Sequence, residues 1–224
     1  MLSLLTGLTF GLLHVWSGPD HLAAVAPLAV AQRRPTWLTG LRWGLGHAGG
    51  VLLVGLASLL LREALPLEWL SAWSERLVGV VLIGIGLWGL RQAFSRNLHA
   101  HEHSHEGVGH RHIHAHVHAT VHSHEQTVPH RHTHAAFAVG TLHGLAGSSH
   151  LLGVLPALAF PSAAQAASYL VAFGVGTVIG MMAFSSVCGW LATRPWAAGL
   201  AGYRRVMGGC ALAALAVGGF WLVA

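Results

Sequence analysis

Six long apolar runs, over residues 2 to 31, 37 to 61, 77 to 93, 135 to 160, 165 to 192 and 206 to 224, are separated by stretches that hold most of the chain's charges. A helix needs about 20 mostly apolar residues to cross a hydrocarbon core of about 30 Å. The pattern therefore predicts an all-α integral membrane protein with six spans. Polar positions interrupt it in two ways: a long polar interval, residues 95 to 134, divides the runs three and three, and a few histidines and one aspartate sit inside the runs themselves. The first run also contains Gly18-Pro19. Proline lacks a backbone donor and suits the first turn of a new helix, so this span is expected to be broken, and with it the fourth.

That pairing of the first and fourth runs rests on an internal repeat. "GLLHVWSGPDHLAAVAP" from residue 11 matches "GTLHGLAGSSHLLGVLP" from residue 140, an offset of 129, so that Gly11, His14, Gly18, His21 and Pro27 meet Gly140, His143, Gly147, His150 and Pro156. After a one-residue slip, Gly44, Gly46 and Gly50 meet Gly174, Gly176 and Gly180, and Pro66 and Arg76 meet Pro195 and Arg205 at the original offset. The expected units are residues 1–94, a central segment 95–134, and residues 135–224. Each repeat has an odd number of spans, so the second enters the bilayer from the opposite face. Two inverted three-helix repeats are a common transporter plan, with the site near the midplane between them.

Composition agrees with the lipid bilayer as the medium: 54% of residues are hydrophobic and 8% charged, where soluble domains carry about 25% charged residues. The basic balance comes from twelve arginines against seven acids and no lysine, and it reads as membrane flanking rather than nucleic-acid binding. Ten arginines (33, 34, 42, 91, 96, 111, 131, 194, 204 and 205) fall on the face of the central segment, against Arg62 and Arg76 on the other. The positive-inside rule then places the central segment in the cytoplasm and both termini outside, in a multi-pass cytoplasmic (inner) membrane protein. The first residues lack a charged n-region and a small-residue cleavage site, so no removable signal peptide is expected. Cys188 and Cys210 lie within apolar runs and give no disulfide framework.

The chemistry lies where the apolar pattern is broken. Asp at the centre of a span costs about 2.5–3.5 kcal/mol on insertion scales, so such a residue faces a water-filled path or a partner. Asp20, the chain's only aspartate, stands beside His21, and His14 lies two helical turns before His21. His47 stands in the second run, within "WGLGHAGGVLL". The second repeat retains His143 and His150 but replaces Pro19-Asp20 with Ser148-Ser149 and His47 with Thr177. Imidazoles with one carboxylate suit borderline ions such as Ni²⁺, Co²⁺ and Zn²⁺, whereas Mg²⁺ and Ca²⁺ call for oxygen ligands. His14, Asp20, His21, His47, His143 and His150 are thus candidate metal ligands. The competing reading is a hydrogen-bonded core histidine or, for Asp20, a helix cap. Met181 and Met182 read as core filling, and Trp69, Trp73, Trp196 and Tyr203 as interfacial anchors.

The central segment holds fourteen of the nineteen histidines: His99, His101, His103, His105, His110, His112, His114, His116, His118, His122, His124, His130, His132 and His134. Alternating His with small or polar residues cannot build a core, so disorder without ligand is expected. Its imidazoles form a candidate accessory metal-binding loop, or alternatively a pH-sensing one.

"HVWSGPDHLAAVAPLAV" and "LGHAGGVLL" resemble the nickel/cobalt transporter superfamily, whose first-helix His, spacer and Asp-His pair with a second-helix Leu-Gly-His. The closer likeness is to six-span members of the urease-accessory type, with Ser-Gly-Pro-Asp-His in the first motif, and of the efflux type, with a His-rich central loop. The resemblance implies metal-handling roles for His14, Asp20, His21 and His47, and association with a metallochaperone or a urease-type metalloenzyme system. The five residues between His14 and Asp20, where the larger permeases have four, depart from the pattern.

Together these features predict a secondary transporter of Ni²⁺ or Co²⁺, with Zn²⁺ as a further candidate, and no resident cofactor. No Walker motif is present, so an ion gradient or the membrane potential would drive it. Two other classes compete. An intramembrane metalloenzyme would use the same ligands, but no HExxH lies within the apolar runs. A metal or pH sensor would use the His-rich loop as its receptor.

Overall fold

A computed structural model describes residues 1–31, 35–60, 67–95, 98–105, 108–115, 133–146, 153, 155–194, 196–197 and 199–223. Its body is helical. α1 (Leu2–Ser17) and α2 (Pro19–Ala31) form the first apolar run. α3 (Trp37–Leu60) and α4 (Leu67–Phe94) follow, and after the central segment come α5 (Thr133–Ala146), a 3₁₀ turn (Leu155–Ala159), α6 (Ala163–Ala192) and α7 (Gly199–Val223). Among the described residues, the part of α4 from Glu75 to Phe94, α6 and α7 are each long and apolar enough to cross a membrane.

The first run is broken as Gly18-Pro19 predicts. The Gly18 N–H donates to the His14 carbonyl at 3.2 Å and ends α1, while the Gly18 carbonyl accepts from His21 and Leu22 and opens α2. In the fourth run α5 ends at Ala146, and the residues that follow it lie outside those described. α4 begins ten residues earlier than its apolar run, because Glu68, Glu75 and Arg76 interrupt hydropathy without opposing a helix. α7 begins seven residues early, at Gly199, whose φ of 80° turns the chain into the helix.

Of the central segment, expected to be disordered, residues 95, 98–105, 108–115 and 133–134 are described. Leu98–His105 and Val108–Ala115 form β1 and β2, an antiparallel hairpin added to an otherwise helical chain. The same alternation that excludes a core has the period of a strand. The hairpin lies against α7.

Small residues bring the helices together. α1 packs along α6 and α3 along α5. A Cβ at Gly11 would strike the Phe173 carbonyl oxygen, and one at Gly176 the Leu8 carbonyl oxygen. Across the α3–α5 seam, Gly140 meets the Trp43 carbonyl and Gly46 the Phe137 carbonyl in the same way. The two seams correspond residue by residue: Gly11 to Gly140 and Leu8 to Phe137 differ by 129, Trp43 to Phe173 and Gly46 to Gly176 by 130. Within both seams the helices run parallel. α4 and α7 instead pack antiparallel, with Gly79 against Gly218 near one end and Arg204 Nε donating to the Ala93 carbonyl at 3.1 Å near the other. Close backbone approach of this kind maximises dispersion contact where lipid supplies no hydrophobic drive between helices. The outer surface is apolar, with Leu53, Leu87, Val171, Leu212 and Phe220 exposed. The interior holds Val15, Trp43, Leu82, Met181 and Met207. Met181 is thus a core residue as expected, while Trp73 and Trp196 are exposed. Pro66 and Pro195, matched in the repeat, lie outside the described residues.

Candidate metal centre

The helix break places the first three groups. His14 occupies the last turn of α1, and Asp20 and His21 the first turn of α2. Asp20 therefore sits at the positive end of a helix dipole, which favours a carboxylate there. Gly18 between them cannot carry a side chain: a Cβ would collide with His21 Nδ1 and lie 2.9 Å from Asp20 Oδ1. His47 enters from α3 and His143 from α5, whose parallel seam sets them side by side.

Asp20, His21, His47 and His143 are 6%, 1%, 0% and 2% exposed. One carboxylate oxygen, Asp20 Oδ1, lies 2.9 Å from His21 Nδ1, and the other, Oδ2, lies 3.0 Å from His143 Nε2. An ionised carboxylate only accepts, so both of these ring nitrogens carry hydrogen and donate. This leaves the lone pair of a neutral His21 on Nε2, which faces His14 Nε2 at 3.0 Å. Metal-bound histidines are commonly oriented in this way, with a carboxylate holding the nitrogen remote from the ion. The other imidazoles surround His21: ring centroids lie 4.5 Å away for His14, 4.8 Å for His47 and 4.8 Å for His143.

Two groups of ligand atoms result, His14 with His21 and His47, and Asp20 with His21 and His143, each within 4.8 Å. The 3.0 Å between His14 Nε2 and His21 Nε2 is the separation that two nitrogens take on one ion at about 2.1 Å each and a near-right angle. The first group can present imidazole lone pairs, while Asp20 in the second already accepts from two rings.

Aromatic walls, which the sequence pattern does not single out, complete the centre. Trp43 is fully buried, stacks on His47 at 4.8 Å and lies 5.4 Å from His143. Its repeat counterpart Phe173 lies 5.4 Å from His14. Two signals point to them: Trp43 stands one helical turn before His47, and the one-residue slip aligns it with Phe173. A cavity of ≈ 380 Å³ reaches His14, Asp20 and His21 past Ser17, Phe173 and Trp221. His47 and His143 do not line it, and their rings each lie 4.8 Å from that of His21.

The structure thus brings together His14, Asp20, His21, His47 and His143, five of the six expected site residues. His150 lies outside the described residues, as do His116, His118, His122, His124, His130 and His132. His99, His101, His103 and His105 lie on β1 and His110, His112 and His114 on β2. His134 opens α5 and is exposed.

Residues 23–221 match the family model for the cytochrome C biogenesis protein transmembrane region. The chain is 36% identical to chloroplast protein FOR GROWTH AND FERTILITY 1 of Arabidopsis thaliana, over 82% of this chain and 48% of that protein. It is also 36% identical to FOR GROWTH AND FERTILITY 2 of the same plant, over 82% and 46%. It spans about half the length of these two relatives. Urease accessory protein UreH of Bacillus sp. (strain TB-90) is 32% identical over 84% of this chain and 77% of its own length. The urease-accessory likeness expected from Ser17 to His21 is met in that relative, while the cytochrome C biogenesis family is not one that the motifs point to. No solved structure matches the chain.

Proposed function

We propose that this chain, which belongs to the family of the cytochrome C biogenesis protein transmembrane region and is related to a urease accessory protein over most of its length, is a secondary transporter of divalent transition-metal ions. Ni²⁺ and Co²⁺ are its foremost cargo. The observation that carries the reading is the group of half-buried His14 with buried His21 and His47, whose ligand atoms lie within 4.8 Å of one another beside a cavity.

The cargo sheds water and takes the lone pairs of His14, His21 and His47. Asp20 holds His21 with Nε2 toward the ion and offsets its charge. Through Oδ2 it holds His143, the second repeat's contribution, by Nε2, and that ring, 4.8 Å from the ring of His21, forms the next station. An imidazole set without a free carboxylate favours Ni²⁺, Co²⁺ or Zn²⁺ over Mg²⁺ or Ca²⁺. Cations buried this way would be trapped unless the walls move. The matched seams, α1 on α6 and α3 on α5, support two inverted repeats that rock about the site and expose it to each face in turn. The parallel seams and the antiparallel α4–α7 pair fit six alternating crossings. The arginine bias supports a cytoplasmic His-rich segment in a cytoplasmic membrane protein. By its kinship with a urease accessory protein, the chain serves a metalloenzyme system that consumes its cargo.

The test is flux of Ni²⁺, Co²⁺ and Zn²⁺, followed in both directions in proteoliposomes of the full chain. Saturable flux of Ni²⁺ or Co²⁺ that is lost in His47→Ala is expected. Folded, inserted protein that moves none of the three would overturn the reading.

A further inference from the structure

In the hairpin, His99, His101, His103 and His105 alternate with Ala100, Glu102 and Ser104 along β1, and His110, His112 and His114 alternate with Arg111 and Ile113 along β2. The register sets His99 opposite His114, His101 opposite His112 and His103 opposite His110. Residues two apart share a face of a strand, and directly opposed residues share that face across the pair. Seven histidines therefore share one face, six of them as three rungs and His105 opposite Val108, while Ala100 with Ile113, Glu102 with Arg111 and Ser104 with Gly109 occupy the other. A shift of one residue would set every one of these histidines opposite a different residue type.

We infer that the hairpin is a second metal site, distinct from the buried cluster, and that each of its three rungs takes one transition-metal ion between its two histidines. Opposed residues have Cβ atoms about 4.5–5.5 Å apart, a span that two imidazoles bridge with an ion about 2.0–2.1 Å from each nitrogen. Successive rungs are two residues apart, about 6.8 Å at a rise of about 3.4 Å per residue. That separation gives each ion its own pair and leaves its remaining positions to water. A two-stranded hairpin is marginal by itself in water, so an ion on each rung also holds the strands in register. Both strands lie against α7, a candidate membrane span, so the ions are held beside the helical body. The inference refines the reading of this segment as metal-capturing and is independent of transport.

The rung pattern makes pairing, rather than histidine number, decide capacity. Full-length protein in detergent is dialysed to equilibrium against Ni²⁺ alone, and retained nickel per chain is counted by elemental analysis, with helical content as the folding control. His101→Ala with His112→Ala removes one rung and is expected to retain one ion fewer than wild type. His101→Ala with His110→Ala breaks two rungs and is expected to retain two fewer. His112→Ile with Ile113→His keeps every imidazole but moves one to the other face, and is expected to lose one ion. Equal losses from the two Ala pairs, or no loss from the exchange, would overturn the inference. Absence of flux in proteoliposomes would bear on the buried site and leave these counts unchanged.

Discussion

Asp20→Asn isolates the role of the carboxylate, because it keeps the volume and removes the charge. In the native centre Oδ1 accepts from His21 Nδ1 at 2.9 Å and Oδ2 from His143 Nε2 at 3.0 Å. An amide offers one oxygen and one NH₂, so one of these two imidazoles then faces a donor. If that ring is His21, it must reverse its tautomer, which puts hydrogen on the Nε2 that faces His14. A hydrogen bond to a charged group contributes about 1.5–3 kcal/mol, and about 1.4 kcal/mol is tenfold in affinity. Loss of one such bond therefore predicts about 10- to 100-fold weaker Ni²⁺ binding at the buried centre, the range seen when outer partners of metal ligands are removed. Calorimetric titration of detergent-purified protein reads the affinity, nickel flux in proteoliposomes reads transport, and size-exclusion behaviour with helical content controls for folding. Transport at subsaturating nickel should fall to about a tenth or less, following the affinity loss. Normal insertion with wild-type affinity and flux would refute this and leave Asp20 as a helix cap.

Gly18→Ala puts a Cβ onto His21 Nδ1, so it should displace that ring and weaken nickel binding at the buried centre by about tenfold or more in the same titration, while helical content stays unchanged. Gly46→Val drives a side chain into the Phe137 carbonyl and should cost about 1–3 kcal/mol by overpacking, read as a lower denaturation midpoint in detergent. Replacing residues 99 to 134 with a short flexible linker should leave flux in place and alter its dependence on nickel concentration. Wild-type protein should also release hairpin-bound nickel as pH falls from about 7.5 to about 5.5, because an imidazole ligates only when neutral and its unperturbed pKa is about 6.5; nickel counts at the two pH values check this.

The parts of the centre that depend on rare residues in an apolar background are legible in the sequence. A single aspartate beside His21, a histidine seven residues earlier and a partial copy at His143 stand out inside apolar runs because each is costly to bury there, and Gly18-Pro19 marks the helix break by its backbone chemistry. Trp43 and Phe173 are hidden because an aromatic residue in an apolar run carries no signal of its own. The one-turn spacing of Trp43 from His47 and the repeat alignment with Phe173 are what distinguish them. The hairpin escapes a reading that puts composition before period: "HAHEHSH" is too polar for a core, yet it alternates as a strand does. The division of labour between Asp20 and the imidazoles is also not readable, because it depends on which nitrogen each carboxylate oxygen meets. The early start of α4 shows hydropathy and helix propensity separating, since Glu68 and Arg76 end an apolar run without ending a helix.

The central claim concerns where the ion sits. Crystals of the full chain soaked in Ni²⁺, with anomalous differences collected at the nickel edge, locate it directly. The account predicts a peak within about 2.0–2.1 Å of His21 Nε2, shared with His14 and His47, while both oxygens of Asp20 still accept from His21 and His143. Nickel found only on the His-rich segment, with the buried group holding none, would contradict it.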